Sequence, residues 1–237
     1  MNDSRSSESR LTPPEGLGDL RRQRLGWARL YFVCEARPNR ADPEDLLRAA
    51  LAGGAGMIEL REREQPRSVI ERSGRTFRRL ADTFSALFIV NDDPHLALEL
   101  HADGVHLGQE DMDPAEAREI LGPEAIVGLS THSREQIEDA ATRPVDYVSV
   151  GPIWETPTKE GRPATGLELI TEARAVATLP WFAIGGINPD NVEQVAAAGA
   201  ERICVVRAIR DADDPRAAAS SLFEAVDPAS QGERASA

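Results

Sequence analysis

Lysine is almost absent from this chain. Lys159 stands alone against 26 arginines in 237 residues, so nearly every cation is a planar guanidinium and one is a compact ammonium. Cysteine is scarce too. Cys34 and Cys204, each inside an apolar run, are too few for a thiolate metal site or a disulfide framework, and whether the two lie close is left open. The four histidines show no zinc-ligand spacing. No apolar stretch reaches the roughly 20 residues of a membrane-spanning helix, and the first residues hold no apolar segment of a secretory signal. Cytoplasmic residence is therefore the expectation. Basic excess is lacking as well: a net charge of −13 and a pI near 4.8 repel phosphate backbones and anionic bilayers. Neither nucleic acid nor membrane is an expected partner, and any phosphate must be gripped locally.

What is present is an ordinary globular balance, 41% hydrophobic and 28% charged. Residues 1–25 and 227–237 are polar and charged, which reads as a disordered leader and tail, with one domain over 26–226. Within it, eight short apolar runs alternate with amphipathic segments of helical length: 30–34, 57–60, 86–90, 104–107, 126–129, 147–150, 181–184 and 203–206. Helix-start chemistry falls between them. Asp42-Pro43, Asp113-Pro114 and Asn188-Pro189 offer a side-chain acceptor followed by proline, and Ser133 with Gln136 forms a capping box. Strands of nearly continuous apolar character are covered on both faces, so eight strand–helix units predict an α/β fold, a single closed parallel (β/α)8 TIM barrel. An open doubly wound sheet is the alternative.

In such a barrel the residues that close each strand converge on one face, where active sites are built. They are Glu59 and Arg61 after the second run, Asn91, Asp92 and Asp93 after the third, and His106, Gln109, Glu110 and Asp111 after the fourth. Ser130, Thr131 and His132 follow the fifth, the loop 150–166 the sixth, Gly185-Gly186 the seventh and Val206-Arg207 the eighth. Asp92 and Asp111 sit on adjacent loops and suit one hard cation, since Mg²⁺ takes one or two carboxylates and leaves its other positions to water and phosphate. Helix caps and solvated charges would explain the same aspartates. The loop 150–166 holds Thr156, Thr158 and Lys159 among glycines and prolines, a setting for phosphate oxygens or for a solvated loop. The glycine pair before Ile187 lets backbone N–H groups approach an anion.

Taken together and in order, IELRER (58–63), FIVNDD (88–93), ADGVHLGQED (102–111), VGLSTHS (127–133), YVSVGPIWETPTKEG (147–161), AIGGINPDNV and VVRAI resemble the thiamine-phosphate synthase family over residues 30 to 210. The resemblance implies a transferase joining 4-amino-5-hydroxymethyl-2-methylpyrimidine diphosphate to 4-methyl-5-(2-hydroxyethyl)thiazole phosphate, with Mg²⁺ as cofactor. It implies that Asp92 and Asp111 hold the metal, that Arg61, Asn91 and Lys159 contact the diphosphate, and that Ser130 lies beside the reacting pyrimidine. Thr156, Thr158, Gly186, Val206 and Arg207 would hold the thiazole phosphate. Arg61, Ser130 and Lys159 are then the catalytic set, and a homo-oligomer is compatible with it.

Two residues depart from the family pattern. Glu59 stands where glutamine is usual, and Arg63 where lysine is frequent. An ionised Glu59 has acceptors only, so it either meets a cationic pyrimidine or pairs with an arginine and points away from substrate. Two other readings remain: a thiazole tautomerase-type barrel, with His106 or His132 moving the proton, and a non-catalytic sensor of thiamine phosphate.

Overall fold

The computed structural model describes residues 16–155 and 163–227. Eight parallel strands close in sequence order into one barrel: β1 Leu30–Cys34, β2 Ala55–Leu60, β3 Leu87–Asn91, β4 Gly104–Leu107, β5 Ile126–Thr131, β6 Tyr147–Val150, β7 Trp181–Ile184 and β8 Ile203–Val205. Every predicted run is a strand, and β1 pairs with both β2 and β8, so no edge is left open. The helices between strands are α2 Glu44–Ala52, α3 Arg67–Phe84, α4 Pro94–Glu99, α5 Pro114–Leu121, α6 Arg134–Ala140, α7 Glu168–Val176 and α8 Val192–Ala197. After β8 come the single turn α9 Arg207–Arg210 and the longer α10 Pro215–Val226.

Period-two alternation sorts each strand. Phe32, Ile58, Phe88 and Val90 face the helical shell. Tyr31, Met57, Leu87, Ile126, Phe182 and Cys204 fill the barrel interior. Cys204 pairs in register with Tyr31, three residues below Cys34, and Cys34 belongs to the shell. The two thiols therefore lie on opposite faces of the sheet, and both are free and buried.

Caps behave as their chemistry demands. Asp93, Asp113 and Ser133 each accept a backbone N–H in the first turn of α4, α5 and α6. Gln136 Oε1 reaches back to the N–H of His132 at 2.8 Å, one residue earlier than an ideal capping box. Two helix starts are displaced. Asp42 accepts from Glu44 N at 3.0 Å with Pro43 in the cap position. Asn188-Pro189 makes a turn closed by Asn191 Oδ1, and α8 begins only at Val192.

The largest correction concerns the end of the polar leader. Residues Leu17–Trp27 form a helix, α1, packed against β2, β3 and β5 at the N-terminal end of the barrel. Leu25 is its apolar anchor, joining the interior cluster. Its arginines find two carboxylates: Arg21 meets Asp103 at 2.9 Å, and Arg22 meets Asp146 at 2.9 Å. Each carboxylate also binds a shell arginine, Arg78 at 2.8 Å and Arg118 at 2.6 Å, and accepts a backbone N–H, from Phe88 and Val127 respectively. Charge pairing replaces the apolar stripe that would have marked this helix. Residues 1–15 and 228–237 lie outside the described residues. Among the described residues no helix is long and apolar enough to cross a membrane.

Candidate active site

At the C-terminal end of the barrel a cavity of about 330 Å³ opens, bordered by Glu59, Arg61, Asn91 and His106 on one side and by Gly185, Gly186, Val206 and Arg207 on the other. Its volume lies within the range of small-ligand pockets. The lower interior is apolar, but the next layer is polar and deeply buried, with Glu59, His106, Ser130 and Ser149 all under 10% exposed. Buried polar groups need partners, and here they find one another. Tyr31 Oη donates to Glu59 Oε2. Tyr31 and Tyr147 hydroxyls are 3.2 Å apart, Tyr147 Oη is 3.0 Å from His106 Nδ1, and His106 Nε2 is 3.0 Å from Ser130 Oγ. Burial first, then the negative charge of Glu59, pushes both phenols well above their ordinary pKa, so both stay protonated. Edge-to-face contacts of both tyrosines with Phe182, at 5.5 and 5.7 Å, hold the rings. Room for Tyr147 comes from Gly128, where a Cβ would stand 2.2 Å from the ring.

Glu59 thus faces the cavity. The alternative that it turns away from the site is corrected by the register, which sets it on the inward-pointing series Met57, Glu59, Arg61. Tyr31 and Tyr147 are site residues that lie inside strands β1 and β6 rather than at the strand ends where sequence reasoning looks for function. A signal did exist, since they are the only tyrosines in the chain and each falls at an inward strand position.

Asp92 extends the β3–β4 pairing through its N–H to His106 O, at 2.8 Å, and adopts a left-handed φ of 63°. Its carboxylate lies within hydrogen-bonding reach of Asp111, and Arg63 Nη2 approaches it at 3.1 Å. Burial, then the neighbouring Asp111, raises its pKa, while Arg63 opposes the shift. Crowded carboxylates that resist ionising together suit a divalent cation, which removes the repulsion, so this donor pair fits Mg²⁺. Asp93, by contrast, caps α4 through Leu96 N at 2.9 Å. Arg63, the departure from lysine, supplies the ion pair to Asp92.

Opposite this pair, Gly185 and Gly186 take φ values of 105° and 71°. A Cβ on Gly185 would meet Pro152 at 2.6 Å, and one on Gly186 would meet Trp154 at 2.7 Å, so the turns after β6 and β7 touch backbone to backbone. Asn188 and Asn191 hold the Gly186 carbonyl from behind, at 3.3 and 2.9 Å. The N–H groups of Arg207 and Ala208 open the turn after β8 and have no intrahelical acceptor. His132 lines the cavity and contacts the carbonyl of Gly151 through Nδ1. Gln109 donates to Ser130 O at 2.6 Å. Ser130 is buried beneath the cavity, Arg207 is exposed at its rim, and Asp92 and Asp111 are not among the residues that line it. Thr156, Thr158 and Lys159 lie outside the described residues.

A family profile described as thiamine monophosphate synthase matches residues 30–209. The thiamine-phosphate synthase of Thermobifida fusca is 47% identical over 204 residues, covering 85% of this chain and 93% of that protein. That of Nostoc punctiforme is 43% identical over 199 residues, 84% of this chain, and the chain spans only 56% of that longer relative. The solved thiamine phosphate pyrophosphorylase of Pyrococcus furiosus superposes with a TM-score of 0.77 at 35% identity, covering 86% of this chain and 96% of that one.

Proposed function

The chain belongs to the thiamine monophosphate synthase family, and on that premise we propose that its barrel mouth joins the pyrimidine diphosphate to the thiazole phosphate, forming thiamine phosphate and releasing pyrophosphate. The observation that carries this reading is the two-sided cavity: Glu59, Arg61 and Asn91 border one side, and the glycine turn with Val206 and Arg207 the other. Two phosphate-bearing ligands can meet there with their reactive ends between them.

In this reading the bond from the pyrimidine methylene carbon to the diphosphate oxygen breaks with its electron pair leaving on the diphosphate. The thiazole nitrogen lone pair then forms the new C–N bond, so neither a protein nucleophile nor a proton transfer is required. The Arg61 cation and the Asn91 amide donor face the charge that grows on the leaving group, and preorganised charges and dipoles aimed at developing charge lower a barrier more than they bind a ground state. Asp92 and Asp111 would hold Mg²⁺, which when bound supplies further positive charge to the diphosphate. Ser130 and Glu59 border the pyrimidine; Gly186, Val206 and Arg207 take the thiazole phosphate. Thr156 and Thr158 belong with the second phosphate and Lys159 with the first. Cytoplasmic residence is part of the same proposal, and the acidic charge disfavours nucleic acid and anionic membrane as partners.

Incubation with both substrates and MgCl₂ tests the proposal, with thiazole carboxylate phosphate, the tautomerase substrate, in a parallel reaction. Coupling that needs both substrates and fails after chelation is the expected result. Isomerisation without coupling would replace the synthase reading by the tautomerase one, and binding of thiamine phosphate without any turnover would replace it by the sensor.

A further inference from the structure

Where the β1–β2 ladder ends, a side chain takes over from the neighbouring strand. The Arg61 N–H still reaches Cys34 O at 3.0 Å, one step past the last residue of β2. The N–H groups of Arg63, Glu64 and Gln65 have no strand to pair with, and all three turn onto one atom, Glu62 Oε1, at 2.9, 2.9 and 3.3 Å. Glu62 Oε2 accepts a fourth N–H, that of Ala36 in the loop after β1, at 3.2 Å. Ala36 is fully buried, and its carbonyl accepts from Ser73 Oγ of α3 at 2.8 Å, so the β2–α3 unit satisfies both of its polar groups. N–H groups converging on an ionised carboxylate make charge-assisted bonds, stronger than those of a neutral turn. A carboxylate offers about four lone-pair sites, and four donors engage them here, which leaves Glu62 no role as a metal or substrate contact.

The run Arg61-Glu62-Arg63-Glu64 has the look of solvated alternating charge, yet Glu62 pairs with neither arginine beside it. Arg63 reaches out to Asp92 at 3.1 Å, and Arg61 lines the cavity. Among the described residues no carboxylate or carbonyl holds the Arg61 guanidinium, so its aim is set by the main chain that carries it. We propose that Glu62 is a positioning residue, an internal anion that closes the loop 61–66 onto the loop after β1 and so fixes the backbone from which Arg61 enters the cavity. The clamp stands on its geometry; its catalytic consequence rests on the proposed function, in which Arg61 faces the charge growing on the diphosphate. A cation stabilises developing charge most when it is in place beforehand, and a side chain that no partner holds takes that preorganisation from its backbone.

Two measurements on the full chain test this. Amide hydrogen exchange of the ligand-free protein reads the clamp: the N–H groups of Ala36, Arg63, Glu64 and Gln65 should be protected in the wild type and exchange roughly tenfold faster or more in Glu62→Ala, while the amides of β3 keep their protection. A double-mutant cycle reads the positioning. Arg61→Ala should lower kcat for coupling by roughly 10²-fold and Glu62→Ala by roughly tenfold. The double variant should be no slower than Arg61→Ala alone, because a misaimed side chain costs nothing once it is absent. KM for the thiazole phosphate, bound on the opposite side, should stay unchanged throughout. Glu62→Gln carries both measurements if Glu62→Ala fails to fold: it keeps the volume, and whichever way its amide turns an NH₂ faces an N–H. Fast exchange at these four amides in the wild type overturns the clamp. Losses that multiply in the double variant, or a parallel rise in KM for the thiazole phosphate, overturn the positioning role. Absence of turnover in the wild type overturns the proposed reaction, and the exchange result still decides the clamp.

Discussion

Replacing Asp92 by asparagine should abolish coupling and yet stabilise the metal-free protein. The carboxylate sits half-buried beside Asp111, and burial together with that neighbour raises its pKa. Two like charges about 4 Å apart repel by about 4 kcal/mol at an effective dielectric of 20 and about 1 in water, and the exposure of Asp111 puts this pair near the lower figure. Asparagine removes that repulsion and part of the burial cost. It also loses the Arg63 contact, worth about 0–1 kcal/mol because Arg63 is 65% exposed. The left-handed φ of 63° adds no penalty, since asparagine adopts that region readily. The net is a gain of roughly 1 kcal/mol, or about 2–4 °C in Tm for a chain of this size.

The sign with pH follows from linkage. A carboxyl whose folded pKa is raised contributes stability below its unfolded pKa of about 4, and that contribution is lost as pH rises through the folded value. Wild type therefore bears the cost at pH 7 and not at pH 3.5, and the advantage of Asp92→Asn should shrink as pH falls. Calorimetry of chelator-treated protein at both pH values, repeated with excess MgCl₂, reads all of this. Mg²⁺ should raise the wild-type Tm and leave the variant's almost unmoved. A variant less stable than wild type at pH 7, or an equal Mg²⁺ shift in both, would refute the reasoning.

Gly186→Ala forces a Cβ to within 2.7 Å of Trp154 at a φ of 71°, so it should destabilise by about 1–3 kcal/mol and raise KM for the thiazole phosphate more than for its partner; equal KM changes would contradict the two-sided cavity. Leu25→Ala removes the apolar anchor of α1 and should cost about 2–5 kcal/mol in denaturant titration, whereas a loss below 0.5 would mean α1 is dispensable. Asp103→Ala removes the shared partner of Arg21, Arg78 and the N–H of Phe88 while Arg78 keeps Asp82 and Arg21 the Glu124 carbonyl, for an expected loss of about 1–3 kcal/mol, dominated by the unpaired N–H, in denaturant titration. Cys34 and Cys204 should resist a thiol reagent in the folded protein and react only on unfolding; fast native reaction would contradict their burial.

Strand number was legible because each strand is a short apolar run bounded by turn residues, while closure against the open-sheet alternative is visible only in the pairing of β1 with β8. Part of the candidate site was legible at strand ends, where Arg61, Asn91 and Gly186, which line the cavity, stand out as polar or glycine. Pairs that meet only in three dimensions were not. Asp103 and Asp146 read as ordinary loop charges until Arg21 and Arg22 of α1 reach them, and without those carboxylates α1 is a polar segment with one buried leucine. The two tyrosines hid inside apolar strands, because the alternation that turns them toward Glu59 and His106 matters only once the barrel is closed. The displaced start of α8 has a local cause: Asn191 captures the N–H of Asn188, so a turn forms where Pro189 would have opened the helix.

The most direct test of the proposed reaction is the stoichiometry of products in one sample, thiamine phosphate by fluorescence after oxidation and pyrophosphate by a coupled enzyme. The barrel mouth described above predicts one pyrophosphate per thiamine phosphate, both dependent on Mg²⁺ and both lost in Asp92→Asn and Lys159→Ala. Pyrophosphate released without thiamine phosphate when both substrates are present, or undiminished coupling in those two variants, would contradict it.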